Sequence, residues 1–175
     1  YKGFDDILIP KVDSVLKSDN NKKLIILHIN GSHSNACDKY PQNYSSFKSE
    51  EPALDCYDNS IRYTDSIVGI LMDKLKNYPA NLIYLSDHGE KFVDGRFIHA
   101  DTKESTSIPY YIWYSDKLNP YLINRGVNNK QSSLLINYYV IAKMLGVQDL
   151  EGPNENTIRY LNSGLSVLNY ENLNP

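Results

Sequence analysis

Residues 81–99 read NLIYLSDHGEKFVDGRFIH, and the meaning of this stretch decides the fold. The apolar run Leu82 to Leu85 has the length and composition of a buried strand and stops abruptly in Ser86-Asp87-His88-Gly89-Glu90. Another histidine, His99, lies eleven residues beyond His88. Carboxylate and imidazole both ligate a borderline cation such as zinc, and open α/β sheets bind ligands at the C-terminal ends of their strands. The pattern therefore predicts a metal site at a strand end, with Asp87 and His88 as ligands. Gly89 is expected to let the backbone turn, so that two adjacent side chains, which in a strand point to opposite faces, both reach the crevice. An ordinary surface turn could contain the same tetrapeptide, so the surrounding chain has to decide.

Upstream, Ala53 to Asn77 keeps a helical period through Leu54, Tyr57, Ile61, Ile67, Val68, Ile70, Leu71 and Leu75, and Pro79 ends it. Ahead of that helix a polar loop runs from Asn30-Gly31-Ser32-His33 through Tyr40-Pro41 to Pro52. The continuous branched run Leu24 to Ile29 before it predicts a strand buried on both faces. Residues Phe4 to Lys17 carry one apolar helical face, kinked or started late by Pro10. Downstream, a polar loop holds His99, and a third strand, Tyr110 to Tyr114, ends at Ser115-Asp116. Ser132-Ser133 is placed to cap a helix over Leu134 to Leu145, closed by Gly146. From Gln148 to Pro175 the Asn-rich chain predicts turns and at most a short strand near Leu165 to Leu168. The order of elements indicates an α/β fold in one domain, a mostly parallel sheet flanked by helices.

The 175 residues suffice for a substantial core. With 18 basic and 21 acidic residues, the net charge of -3 gives no general attraction to nucleic acid or anionic lipid. No apolar stretch approaches the roughly 20 residues that cross a bilayer, and YKGFDDILIP lacks the regions of a signal peptide. Any export or membrane signal is expected outside this chain. Cys37 and Cys56 could pair in an oxidising compartment or stand as unrelated thiols in a reducing one; their places in a polar loop and at a helix start favour a bridge.

Of the four histidines, His28 lies inside the first apolar run and is expected in or near the core. His33, His88 and His99 each follow a strand end, in loops that a parallel sheet would gather at one edge. With Asp87 they form a constellation able to coordinate zinc or to bind a phosphoryl oxygen. Ser32, Ser34, Ser60 and Thr64 are the hydroxyls nearby in sequence, and none sits in a recognisable nucleophile elbow.

Several segments together, FDDILIPKVDSVL, LIILHINGSH with KYP following, CYDNSIRYTDSIVGILMDKLK, LIYLSDHGE, FIHA and IPYYIWYSD, form a specific ordered set spanning residues 4 to 116. In this the chain resembles the C-terminal part of the periplasmic catalytic domain of bacterial lipid A phosphoethanolamine transferases, in the alkaline phosphatase and sulfatase superfamily. The resemblance implies an incomplete sulfatase-like fold over residues 1–175, with Asp87 and His88 on the catalytic zinc and His33 and His99 on the substrate phosphate or a second zinc. Glu90 would orient its neighbours. It further implies phosphatidylethanolamine as donor, lipid A or a lipopolysaccharide core sugar as acceptor, and a place at the periplasmic face of the bacterial inner membrane.

In that family the glutamate ligand, the threonine nucleophile and the membrane helices precede the region matched here, so these residues are expected to be inactive alone. The loop from His33 to Tyr40 lacks the family's common Gly-Pro, and the two cysteines do not match its closely spaced pairs. Two other readings stay open: a phosphatase or sulfatase of the same superfamily, in which water resolves the intermediate, and a non-catalytic binding module that keeps the fold.

Overall fold

A computed structural model describes residues 3–118, 126–127, 129, 132–153, 158–162, 164 and 166–174. The chain divides into two compact units, one of Tyr1–Leu85, Phe92–Ile98 and Pro109–Ile123, the other of Ser86–Lys91, His99–Ile108 and Asn124–Pro175.

The first unit is built on two helices. A 3₁₀ turn, Asp5–Leu8, leads into α1, Ile9–Leu16, with Pro10 in its first turn, where a missing N–H costs nothing. The helix thus starts late, as Pro10 requires. Pro52 likewise opens α2, Pro52–Leu75. Val12 of α1 meets Tyr63, Ile67 and Leu71 of α2 in the buried core, and Phe4, Ile25, Leu27, Tyr44 and Leu82 pack around them. Tyr63 takes the rings of Tyr44 and Phe4 edge-on, at 4.8 and 6.1 Å. Lys74 and Asp13 pair across the helices at 2.8 Å.

The run Leu24–Ile29 departs from expectation. Its backbone carries no strand pairing among the described residues, and its side chains alternate. Ile25 and Leu27 face the helical core, while Leu24 and Ile26 are 56% and 81% exposed and His28 is exposed. The expectations of a strand buried on both faces and of a core His28 are therefore corrected: helices cover one face only, and His28 falls on the other.

Asn81–Leu85 forms β1, and Tyr110–Tyr114 forms β4. They pair antiparallel, with Leu82 opposite Trp113 and Ile83 opposite Ile112, and Tyr84 stacks on Tyr111 at 5.0 Å. Ser115, 1% exposed, fastens the end of β4 by donating its hydroxyl to the Tyr78 carbonyl and accepting the Ala80 N–H. Lys91–Val93 (β2) and Arg96–Ile98 (β3) make a hairpin inside what the sequence suggested was loop. Asp94 and Gly95 both have positive φ, 49° and 74°, the backbone of a type I′ turn. Tyr57 of α2 stacks on Phe97 at 4.2 Å. The sheet is thus not mostly parallel among the described residues: the only parallel pairing there is an isolated bridge, Thr102 to Asn174, because Leu24–Ile29 finds no neighbour to begin a parallel ladder.

In the second unit, Thr102 caps the short helix α3, Lys103–Thr106, its hydroxyl accepting from the Ser105 N–H. Ser133 caps a 3₁₀ turn, Leu134–Ile136, that continues into α4, Asn137–Met144. Gly146, at φ 85°, ends it: its N–H meets the Lys143 carbonyl and the Val147 N–H the Ala142 carbonyl, a Schellman motif. The tail holds a small hairpin, β5 Arg159–Leu161 with β6 Val167–Asn169. The second of these overlaps the short strand expected near Leu168, Leu165 lying outside the described residues; the first was not foreseen. No helix among the described residues is long and apolar enough to cross a membrane.

Candidate functional site

The chain leaves β1 at Leu85 and turns at once. Asp87 takes the His88 N–H on its own carboxylate at 3.1 Å, and the Ser86 hydroxyl donates to the His88 carbonyl at 2.6 Å. Such side-chain to backbone bonds replace the ladder that a continuing strand would have used. Gly89 then donates its N–H to the Ser105 carbonyl at 2.6 Å. A Cβ on Gly89 would lie 3.1 Å from that oxygen and 3.4 Å from the Glu104 carbonyl. Close approach to α3, and not a left-handed backbone, is the reason for glycine here.

His88 and His99 meet edge to face, ring centroids 4.1 Å apart. His88 Nδ1 lies 3.1 Å from the Gly89 carbonyl. A carbonyl only accepts, so Nδ1 carries the proton, and in neutral His88 the Nε2 lone pair is available to a ligand. Asp87 Oδ1 stands 3.8 Å from that Nε2. His99 Nε2 faces Glu90 Oε1 at 3.4 Å, and the Glu90 side chain is only 8% exposed, against 56% for His99 and 86% for Asp87. Glu90 is thus the shielded carboxylate of the pair, and Asp87 the open one.

Two imidazoles and two carboxylates, nitrogen and oxygen donors of the kind zinc accepts, are therefore gathered in Asp87, His88, Glu90 and His99. Yet among the described residues no three His, Cys, Asp or Glu side chains converge on one point as a metal ion requires. The donor chemistry fits; a closed cage is not made by these residues alone.

His33 belongs to the first unit. Its exposed ring has Nδ1 3.2 Å from the Ser34 hydroxyl, and its loop turns through Gly31, at φ 54°. Asp5, buried at 2% exposure, accepts the N–H groups of Asn30 and Gly31 at 2.9 and 3.0 Å. Sequence reasoning missed Asp5, because its role depends on the distant backbone groups that it meets. Cys37 and Cys56 are bonded, which ties the loop following His33 to the first turns of α2. Asn59, 1% exposed, holds the same loop further on by accepting the Ser46 and Phe47 N–H groups.

Residues 1–147 match the Sulfatase family. YhbX of Escherichia coli (strain K12), provisionally named a transferase, is 36% identical over 159 residues, which are 87% of this chain and 29% of YhbX. The Kdo(2)-lipid A phosphoethanolamine 7''-transferase of Salmonella typhimurium is 32% identical over 133 residues, 66% of this chain and 24% of that enzyme. The solved C-terminal periplasmic domain of EcEptC from Escherichia coli superposes with a TM-score of 0.79 at 23% identity, covering 98% of this chain and 59% of that one, and has also been solved in complex with Zn. That likeness carries the fold, which is alkaline phosphatase/sulfatase-like. The chain spans under a third of the length of these curated relatives. With the family match extending over most of its residues, the chain belongs to the sulfatase family, and its relatives there include phosphoethanolamine transferases.

Proposed function

We propose that this chain forms the C-terminal part of the catalytic domain of a zinc-dependent transferase that moves phosphoethanolamine from phosphatidylethanolamine to lipid A or a lipopolysaccharide core sugar, at the periplasmic face of the bacterial inner membrane. The observation that carries the reading is the contact of His88 with His99, flanked by Asp87 and Glu90. Zinc in the solved EcEptC domain and the names of the transferase relatives support it.

In this reading Asp87 and His88 are zinc ligands, and His99, held by Glu90, donates a proton or hydrogen bond to a phosphoryl oxygen. His33 is assigned to the substrate phosphate or a second zinc by the family resemblance alone. Bound zinc lowers the pKa of an attacking hydroxyl and offsets charge on phosphoryl oxygens. The threonine nucleophile and a glutamate ligand come from residues outside 1–175, so these residues alone turn nothing over.

Elemental analysis tests the metal half of the proposal. We expect the longer protein, which supplies the remaining ligands, to hold zinc, with Asp87→Ala and His88→Ala in it each losing the metal while both variants stay folded by circular dichroism. Zinc retained in both variants would sink the assignment of ligands. Acceptor assays on the longer protein then separate transfer to lipid A from hydrolysis, the outcome a phosphatase or sulfatase would give.

A further inference from the structure

The loop of residues 30–39, which carries His33, closes on a cavity of about 320 Å³ at its foot, lined by Gly3, Phe4, Asn30, Asp38 and Lys39. Its walls are held from behind. Asp5 takes the Asn30 N–H at 2.9 Å, the Phe4 ring stands edge-on to Tyr63 at 6.1 Å, and Lys39 lies between Cys37, bonded to Cys56, and Tyr40, which packs on the helical core. The Asp38 and Lys39 N–H groups donate to the Asn35 and Ala36 carbonyls at 2.9 and 3.1 Å. On this fixed frame the polar side chains are left without partners. Lys39 is half-buried, yet its ammonium meets no carboxylate, carbonyl or ring among the described residues, nor does the Asp38 carboxylate meet a donor there. Asn30 gives one amide hydrogen to Asp5 at 3.3 Å, and its amide oxygen stays open among the described residues. A half-buried cation has lost part of its hydration and gains most from an anion that replaces it.

We propose that this cavity binds one phosphorylated sugar ring of the acceptor, with Lys39 on the phosphate, Asn30 and Asp38 accepting from sugar hydroxyls, and Phe4 against the apolar face of the ring. The proposal deepens the reading above and rests on it, since there a saccharide receives the phosphoethanolamine. The mixture of groups selects the ligand class. A bare anion would meet Lys39 but be opposed by the charge of Asp38, and a neutral sugar would leave the Lys39 ammonium unpaired. A phosphorylated sugar satisfies the cation and both acceptors together. The volume lies at the small end of ligand pockets and suits a single ring, not an oligosaccharide.

Calorimetric titration of the longer protein with glucose 1-phosphate tests this, with glucose and inorganic phosphate as controls. Lys39→Met should weaken glucose 1-phosphate binding about tenfold or more, the loss of one charge-assisted hydrogen bond, and Lys39→Arg should keep it within about threefold. Lys39→Gln, which also removes the charge, gives the same reading should Lys39→Met not fold. The Lys39-dependent binding should persist in Asp87→Ala, which removes the proposed zinc site as an alternative seat for the phosphate. In acceptor assays Lys39→Met should raise KM for the acceptor about tenfold at nearly unchanged kcat. Equal affinity in the uncharged variants overturns the proposal, as does no binding at millimolar ligand. Inorganic phosphate or glucose binding as tightly as glucose 1-phosphate also overturns it. A protein that transfers phosphoethanolamine without Lys39-dependent binding refutes only this proposal; Lys39-dependent binding in a protein that transfers nothing refutes only the proposed activity.

Discussion

The Asp5 carboxylate accepts the Gly31 N–H at 3.0 Å, so a buried charge before the first helix sets the turn that leads to His33. Its other oxygen takes the Asn30 backbone N–H at 2.9 Å and the Asn30 amide at 3.3 Å. Replacing Asp5 by Ala strands these donors, and a buried unmet donor costs about 1–3 kcal/mol. Urea denaturation of Asp5→Ala should show a loss of that size, with the His33 ring resonances broadened. Asp5→Asn keeps one acceptor and should lose less. Equal stability of all three proteins would refute the anchoring role.

Gly89 stands against the carbonyls of Ser105 and Glu104. An added methyl group must push α3 away or break the Gly89 to Ser105 hydrogen bond, and overpacking of this kind costs about 1–3 kcal/mol. Gly89→Ala is expected to lower the thermal midpoint and to disturb the contact of His88 with His99, seen as shifted imidazole resonances. A variant with unshifted resonances and an unchanged midpoint would show that the backbone gives way freely.

The Cys37–Cys56 bond spans a sequence separation of 19. Closing a loop of that length removes freedom from the unfolded chain, an effect of about 3 kcal/mol. Reduction, or the double variant Cys37→Ser with Cys56→Ser, should lower stability by that order in chemical denaturation. No change on reduction would mean that the loop is held by Asn59 instead.

Burial pushes the Tyr63 phenol up to about 12, with the nearby charge of Asp6 adding to the rise and the Asp6 N–H that it accepts working the other way. In the unfolded chain the phenol ionises near the ordinary tyrosine value of 10.0. The folded state therefore binds this proton more tightly: its contribution to stability is intact below pH 10.0 and is lost as pH rises toward about 12. Stability measured against pH should fall across that window, and Tyr63→Phe should flatten the fall. Tyr63→Phe also removes the acceptor of the Asp6 N–H, at a cost of about 1 kcal/mol at neutral pH. An equally steep decline in the variant would place the titration on other groups.

Long periodic segments were legible from sequence because burial of one helical face leaves a pattern over many residues. The helix from Pro52 to Leu75 and the strands ending at Leu85 and Tyr114 lie where apolar spacing and Pro79 put them. The Ser133 cap and the Gly146 stop were legible for a different reason, since each residue satisfies a backbone group that the helix cannot. Leu24–Ile29 misled because a continuous apolar run is the mark of a strand covered on both faces, and here one cover is not among the described residues. The hairpin at Asp94-Gly95 did carry a signal, an Asp-Gly pair between the short apolar segments Phe92-Val93 and Phe97-Ile98, which the length of the polar loop obscured. Asp5 and Ser105 could not be read from sequence at all, because what they do depends on which distant backbone they meet.

Trp113 is the single tryptophan, and it lies on β4 opposite Leu82, whose side chain joins the helical core. Intrinsic fluorescence excited at the indole thus reports one place in one unit, while far-ultraviolet dichroism sums the helices of both. A melt followed by both signals resolves whether the two units unfold in one step or two, without a label or a substitution. Coincident curves would mean that the chain melts as one cooperative body; a separate dichroism step with silent fluorescence would belong to the unit that carries His88 and His99.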